Sequence, residues 1–225
     1  MEPSGLISKA FAVFAKDLRL ELRTKYALNT IMMFGVTTLA VVSFSLGQAG
    51  LPTKLLAALF WIVIFFSAMA ALAQVFTREE EAGTALTLRL TAEPNAVYLG
   101  KLFFNLVLLT TLAAVVTPLF FIFTDAPTGD LLLFVLVLAL GVLALCSATT
   151  LVATIISKAS VKGALFAVLC FPILLLPLML MVGASDQVLL GSGIFEIGAA
   201  LQGLTAYTVV MVTASLMLFK FVWKE

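Results

Sequence analysis

Leu131-Leu132-Leu133-Phe134-Val135-Leu136-Val137-Leu138-Ala139-Leu140-Gly141-Val142-Leu143-Ala144-Leu145 opens a run that continues to Ser157 without one charged residue. A helix needs ~20 apolar residues to cross the hydrocarbon core, and a buried strand uses only about 4–8. The run is therefore read as a membrane span. Five more apolar stretches of that kind follow from the same reading: 26–46, 55–77, 102–123, 163–182 and 197–219. The basic residues around them alternate. Lys9, Lys16, Arg19, Arg23 and Lys25 precede the first span, and Lys54 stands alone in the next connection. Arg78, Arg89 and Lys101 follow, then Lys158 and Lys162, then Lys220 and Lys224. Twelve of thirteen thus fall on one side, which orients both termini toward the cytoplasm. The expectation is an all-α integral membrane protein: one six-span, multi-pass domain over residues 1–225.

Composition agrees. The chain is 63% hydrophobic and 11% charged, with a mean hydropathy of +1.20, far from a soluble domain. Six spans and their connections use nearly all 225 residues, so no soluble domain is expected on either face. A net charge of +1 describes topology rather than a partner, and no nucleic acid is expected. No cleavable signal is apparent, because about 25 charged, amphipathic residues precede the first apolar run. Cys146 and Cys170 lie inside spans and are read as packing residues.

Residues 6–25 form a different pattern. Ile7, Phe11, Phe14, Leu18 and Leu22 recur at helical spacing, with Lys9, Lys16, Arg19 and Arg23 opposite them. Such a helix lies on the membrane surface, its apolar face at the headgroup boundary and its cations toward anionic lipid. Lys16, Arg19 and Arg23 are the expected interfacial anchors, and the helix runs into the first span without a break.

The inner connection, residues 78–98, is the longest polar stretch after the N-terminus. Thr77 is placed to cap a helix, with Glu80 three residues on reaching back to the cap. Glu79, Glu80 and Glu81 then sit at the positive end of that helix dipole. Gly83, Leu86, Leu88 and Leu90 follow, and Glu93-Pro94-Asn95 ends the element. A surface helix is expected. The outer connections are shorter. The glycine-bearing one, 183–196, is expected to form a short irregular or re-entrant element. Pro118 in the third span and Pro172 and Pro177 in the fifth are the expected helix-kink positions.

Absences narrow the function. No Asp, Glu, Lys or Arg lies in a span core, and the chain has no histidine. Ion-coupled transporters mark their paths with intramembrane ionisable groups. Intramembrane enzymes need a general base, paired carboxylates or a metal set. Neither pattern is present, so no catalytic residue and no bound metal or cofactor is expected. Asn29, Gln74, Asn105, Gln202 and the cluster Ser147, Thr149, Thr150 and Thr154 read as hydrogen bonds between helices. No phosphate-binding loop occurs either, so ATP would be hydrolysed by another subunit. A surface helix positioned to be pushed by a soluble partner is the design of the membrane half of an ABC transporter. The absence of a single-chain pathway favours a symmetric dimer.

The residues resemble one family in particular. Lys16-Asp17-Leu18-Arg19-Leu20-Glu21-Leu22-Arg23 before the first span is similar to the start of haem exporter protein B, the CcmB permease of cytochrome c maturation. So are Val75-Phe76-Thr77-Arg78-Glu79-Glu80-Glu81-Ala82-Gly83-Thr84-Ala85-Leu86, Leu99-Gly100-Lys101-Leu102, Thr117-Pro118-Leu119 and the basic turn from Ser157 to Gly163. The resemblance implies a type-2 ABC permease bundle with an N-terminal elbow helix, a coupling helix within 78–98, and assembly as a dimer with two ATPase subunits. It implies ATPase coupling through Glu79, Glu80, Glu81, Gly83, Leu86 and Leu90. It also implies haem-handling membrane proteins as partners and haem as possible cargo of the complex. Two other readings stay open: a type-2 permease exporting a lipid, polysaccharide or drug, and a structural assembly subunit that transports nothing.

Overall fold

The computed structural model describes residues 3–46, 51–72, 93–156 and 162–224, and every element among them is helical. In chain order these are α1 (Pro3–Thr24), α2 (Tyr26–Leu46), α3 (Thr53–Leu72), α4 (Pro94–Thr124), α5 (Leu131–Ile156), α6 (Lys162–Leu189) and α7 (Ile194–Lys224). Helices α2 to α7 are each long and apolar enough to cross a membrane. The protein is an all-α, multi-pass membrane bundle. Helices are the natural solution here, because a spanning segment must satisfy its backbone hydrogen bonds internally.

Helix α5 sits at the centre, against α3, α4, α6 and α7, while α2 packs on α3 and α4 at the periphery. Phe60 of α3 anchors the core where three helices meet. Its ring lies 5.5 Å from Trp61, 5.0 Å from Phe120 of α4 and 5.5 Å from Phe134 of α5. Outward-facing residues such as Phe44, Ile122, Leu132 and Phe195 are exposed and apolar. That pattern suits lipid rather than water.

Small residues set the closest approaches. A Cβ on Gly35 of α2 would lie 2.7 Å from Leu112 and 3.1 Å from Ser67. One on Gly141 would lie 2.3 Å from Trp61. Small residues let membrane helices approach closely enough for dispersion to hold them. Polar groups pair across other helix contacts. Asn105 Nδ2 donates to Thr150 Oγ1 at 2.8 Å, linking α4 to α5 as expected, whereas Ser147 and Thr149 donate to carbonyls of their own helix; Trp61 Nε1 donates to Ser185 Oγ at 2.8 Å.

Three boundaries differ from expectation. Lys25, at φ 53°, interrupts the expected continuous entry from α1 into α2. Helix α4 starts at Pro94, so residues 94–98 are its first turns rather than the end of the connection. Proline suits that place, since a first-turn amide has no intrahelical acceptor. The expected irregular segment 183–196 is mostly helical. Residues 183–189 extend α6, held by the Ser185 contact and by a Thr53 hydroxyl donating to Asp186. The helix then stops in a Schellman motif. Gly191 takes φ 86°, its amide donates to Val188 and the Ser192 amide donates to Gln187.

Prolines inside spans leave carbonyls without their usual donor. Pro177 in α6 cannot serve Ile173, four residues earlier. The Tyr207 hydroxyl of α7 does so instead, at 3.0 Å. The carbonyl that Pro177 leaves free is thus served by a neighbouring helix.

Candidate coupling site at the basic end of the bundle

Among the described residues, the buried charged side chains Asp17, Glu21 and Lys101 lie at the end of the bundle where α1 meets α4. The expected coupling residues Glu79, Glu80, Glu81, Gly83, Leu86 and Leu90 lie outside the described residues, and so does Gln74. What the structure describes is the framework that receives this connection. Glu93 is extended and precedes Pro94, and behind it Ala96, Val97, Tyr98, Gly100 and Lys101 of α4 are all buried. Tyr98 packs its ring, tilted, against Phe219 of α7 with ring centroids 5.6 Å apart.

Helix α1 packs along this start of α4. Its buried face is Ala10, Val13, Asp17 and Glu21. These share one side of a helix, because positions three and four apart are neighbours. Gly100 makes the contact possible: a Cβ there would come within 2.7 Å of Val13 Cβ and 2.8 Å of the Ala10 carbonyl oxygen. Beside that face α1 exposes Ile7, Phe11 and Leu22.

The two acids on the buried face each hold a different helix. Asp17 is 7% exposed and pairs with Lys101 of α4, 2% exposed, at 3.0 Å; Lys16 approaches its other oxygen at 3.2 Å. One turn later Glu21, 3% exposed, accepts the Leu28 amide at 2.8 Å. That amide lies in the first turn of α2, where a carboxylate satisfies an orphan donor and favours the positive helix end. At the rim, Lys9 pairs with Glu93 at 2.7 Å. This pair is largely exposed and contributes about 0–1 kcal/mol.

The expected anchors divide accordingly. Arg19 and Arg23 are exposed on α1, whereas Lys16 has Asp17 as a partner. Pro118, Pro172 and Pro177 lie inside α4 and α6. Cys146 and Cys170 are buried free thiols. Asp17, Glu21 and Lys101 went unrecognised as buried groups. A signal for the first two existed: Ala10, Val13, Asp17 and Glu21 recur at helical spacing with small or short side chains.

Among the described residues no three His, Cys, Asp or Glu gather as a metal-binding set. A partly open groove of about 550 Å³ lies between α4 and α5, lined by Leu106, Ala113, Thr117, Pro118, Leu138 and Val142 among others. No charged side chain lines it. Two buried carboxylates fasten one amphipathic helix to the starts of two spans.

No curated protein matches the chain. A family model described as CcmB protein matches residues 8–222, from the first turns of α1 almost to the end of α7. The chain belongs to the CcmB family.

Proposed function

We propose that this chain is the membrane permease subunit of an ABC transporter that supports haem delivery for c-type cytochrome maturation. ATP is hydrolysed in a separate soluble subunit, and this chain relays the resulting motion across the membrane. The match of the CcmB family model to residues 8–222 carries the reading. The basic end of the bundle faces the cytoplasm, as the distribution of Lys and Arg favours. The connection between α3 and α4 meets the ATPase there through Glu79 to Leu90. Two copies form the transmembrane unit, alongside haem-handling membrane proteins. Arg19 and Arg23, next to the exposed apolar face of α1, rest on anionic headgroups.

The test is deletion of the chain followed by staining for covalent haem in c-type cytochromes. Loss of covalent haem, restored by a plasmid copy, is expected. Cytochromes that mature at wild-type level in a strain with no second copy would contradict the reading. One observation favours a rival, export of a lipid-like compound: the groove beside Pro118 is apolar and uncharged. Intact cytochromes combined with a changed lipid or drug profile would select that alternative.

A further inference from the structure

A buried ion pair needs a reason other than stability. Well-packed apolar residues of similar volume often do as well, because both charges must leave water. Asp17 and Lys101 are nonetheless both more than nine-tenths buried and 3.0 Å apart. Their best-attested use is to fix register. An apolar contact is non-directional and lets helices slide, whereas a buried pair holds one carboxylate against one ammonium. The backbone contact at Gly100, one residue before Lys101, lies against Ala10 and Val13, about one turn before Asp17. The two contacts together clamp α1 to α4 over two successive turns. One turn beyond, Glu21 holds the first turn of α2 through the Leu28 amide. Glu93, where α4 leaves the inner connection, is itself tied to Lys9 of α1.

We infer that α1 is a lever: Asp17 and Lys101 pin it to α4, so that displacement of the inner connection reaches span α2 through Glu21. The inference rests on the ATP-driven reading above. Asp17 and Lys101 are positioning residues, and their part is to make α1 and the start of α4 move as one body. Force entering at residue 93 would otherwise be lost in sliding between the two helices.

The test uses the complex purified with its ATP-hydrolysing subunit and three variants: Lys101→Met, Asp17→Leu/Lys101→Met, and the reversed pair Asp17→Lys/Lys101→Asp. The apolar double variant keeps the contact filled, so it assembles even where Lys101→Met does not. Three quantities are read: ATP hydrolysis per complex, covalent haem delivered per ATP, and a spin-label distance between α1 and α4. The labels sit on Ser8→Cys and Phe103→Cys, both exposed, with Cys146 and Cys170 replaced by Ala. In the otherwise wild-type chain that distance stays fixed when a non-hydrolysable ATP analogue binds. In the apolar double variant it changes, and output per ATP falls about tenfold, within the range of typical coupling between sites. The reversed pair restores both to within about twofold of wild type. An apolar double variant with wild-type output and a fixed distance would overturn the lever. So would a reversed pair as impaired as the apolar one. The label distance does not depend on cargo, so it still decides the lever if the deletion test removes the cytochrome assignment.

Discussion

Gly129 shows how tightly single residues are held at the end opposite α1. It adopts φ 46°, and a Cβ there would meet the Val188 carbonyl oxygen at a distance no side chain tolerates. Two costs add in Gly129→Ala: the left-handed conformation, roughly 1–2 kcal/mol for an L-residue, and displacement of the turn from the end of α6. The variant is expected to lose at least about 2 kcal/mol of stability in detergent, read as a lowered thermal midpoint. An unchanged midpoint would show that the turn does not rest on α6. Asp130, the next residue, explains why this turn leads cleanly into a span: its carboxylate accepts the amides of Leu132 and Leu133 at 3.0 and 3.1 Å. The charged residues of α1 are the contrasting case. Sequence logic treats a Lys, Asp or Glu beside a membrane as facing water or headgroups. It has no means of seeing that Asp17 and Lys101, 84 positions apart, share one buried contact.

Among the elements, spans were the most legible part. The start of α2 and of α5 falls where the apolar runs begin, because uncharged runs of this length have only one stable form in lipid. Ends were less legible. Helix α6 passes through Gly183 to Leu189, since glycine is tolerated within membrane helices and Ser185 and Asp186 find partners on α3. The true stop is Gly191, set by its positive φ. Three glycines in that stretch offered no way to choose among them. The sealing of Pro177 by Tyr207 was equally invisible, because it depends on the register of α7 against α6. It supports a double-mutant cycle. Tyr207→Phe leaves the Ile173 carbonyl without its donor and should cost about 0.5–1.5 kcal/mol. In a Pro177→Ala background the helix supplies its own amide, and the same change should cost close to nothing. Equal costs in both backgrounds would show that the hydroxyl does not serve the carbonyl freed by proline.

At the scale of the whole molecule, the distribution of charge and the order of spans predict one topology. Reporter fusions after Lys101, Lys162 and Lys224 are expected to show cytoplasmic activity, and fusions at Pro127 and Ser192 external activity. External activity at Lys162 would invert the arrangement. The family, too, was legible in advance: the residues quoted for the resemblance are spread from Lys16 to Gly163, and the family model matches 8–222. The candidate site was legible only in outline. The surface element expected in the connection after α3 lies outside the described residues, and the clamp joins residues from α1, α2 and α4 that only the packed bundle brings together.

The central claim is that this chain receives the work of a separate ATPase at its basic end. It is tested most directly by purifying the complex through a tag on this chain and measuring the ATP hydrolysis that accompanies it. The wild-type chain should bring down an ATP-hydrolysing subunit. Glu80→Lys/Gly83→Trp should insert normally yet retain about a tenth or less of that hydrolysis, the size of effect expected when a central interface contact is lost. A wild-type chain that purifies without any ATPase, or a variant with undiminished hydrolysis and undiminished cytochrome maturation, would contradict the account.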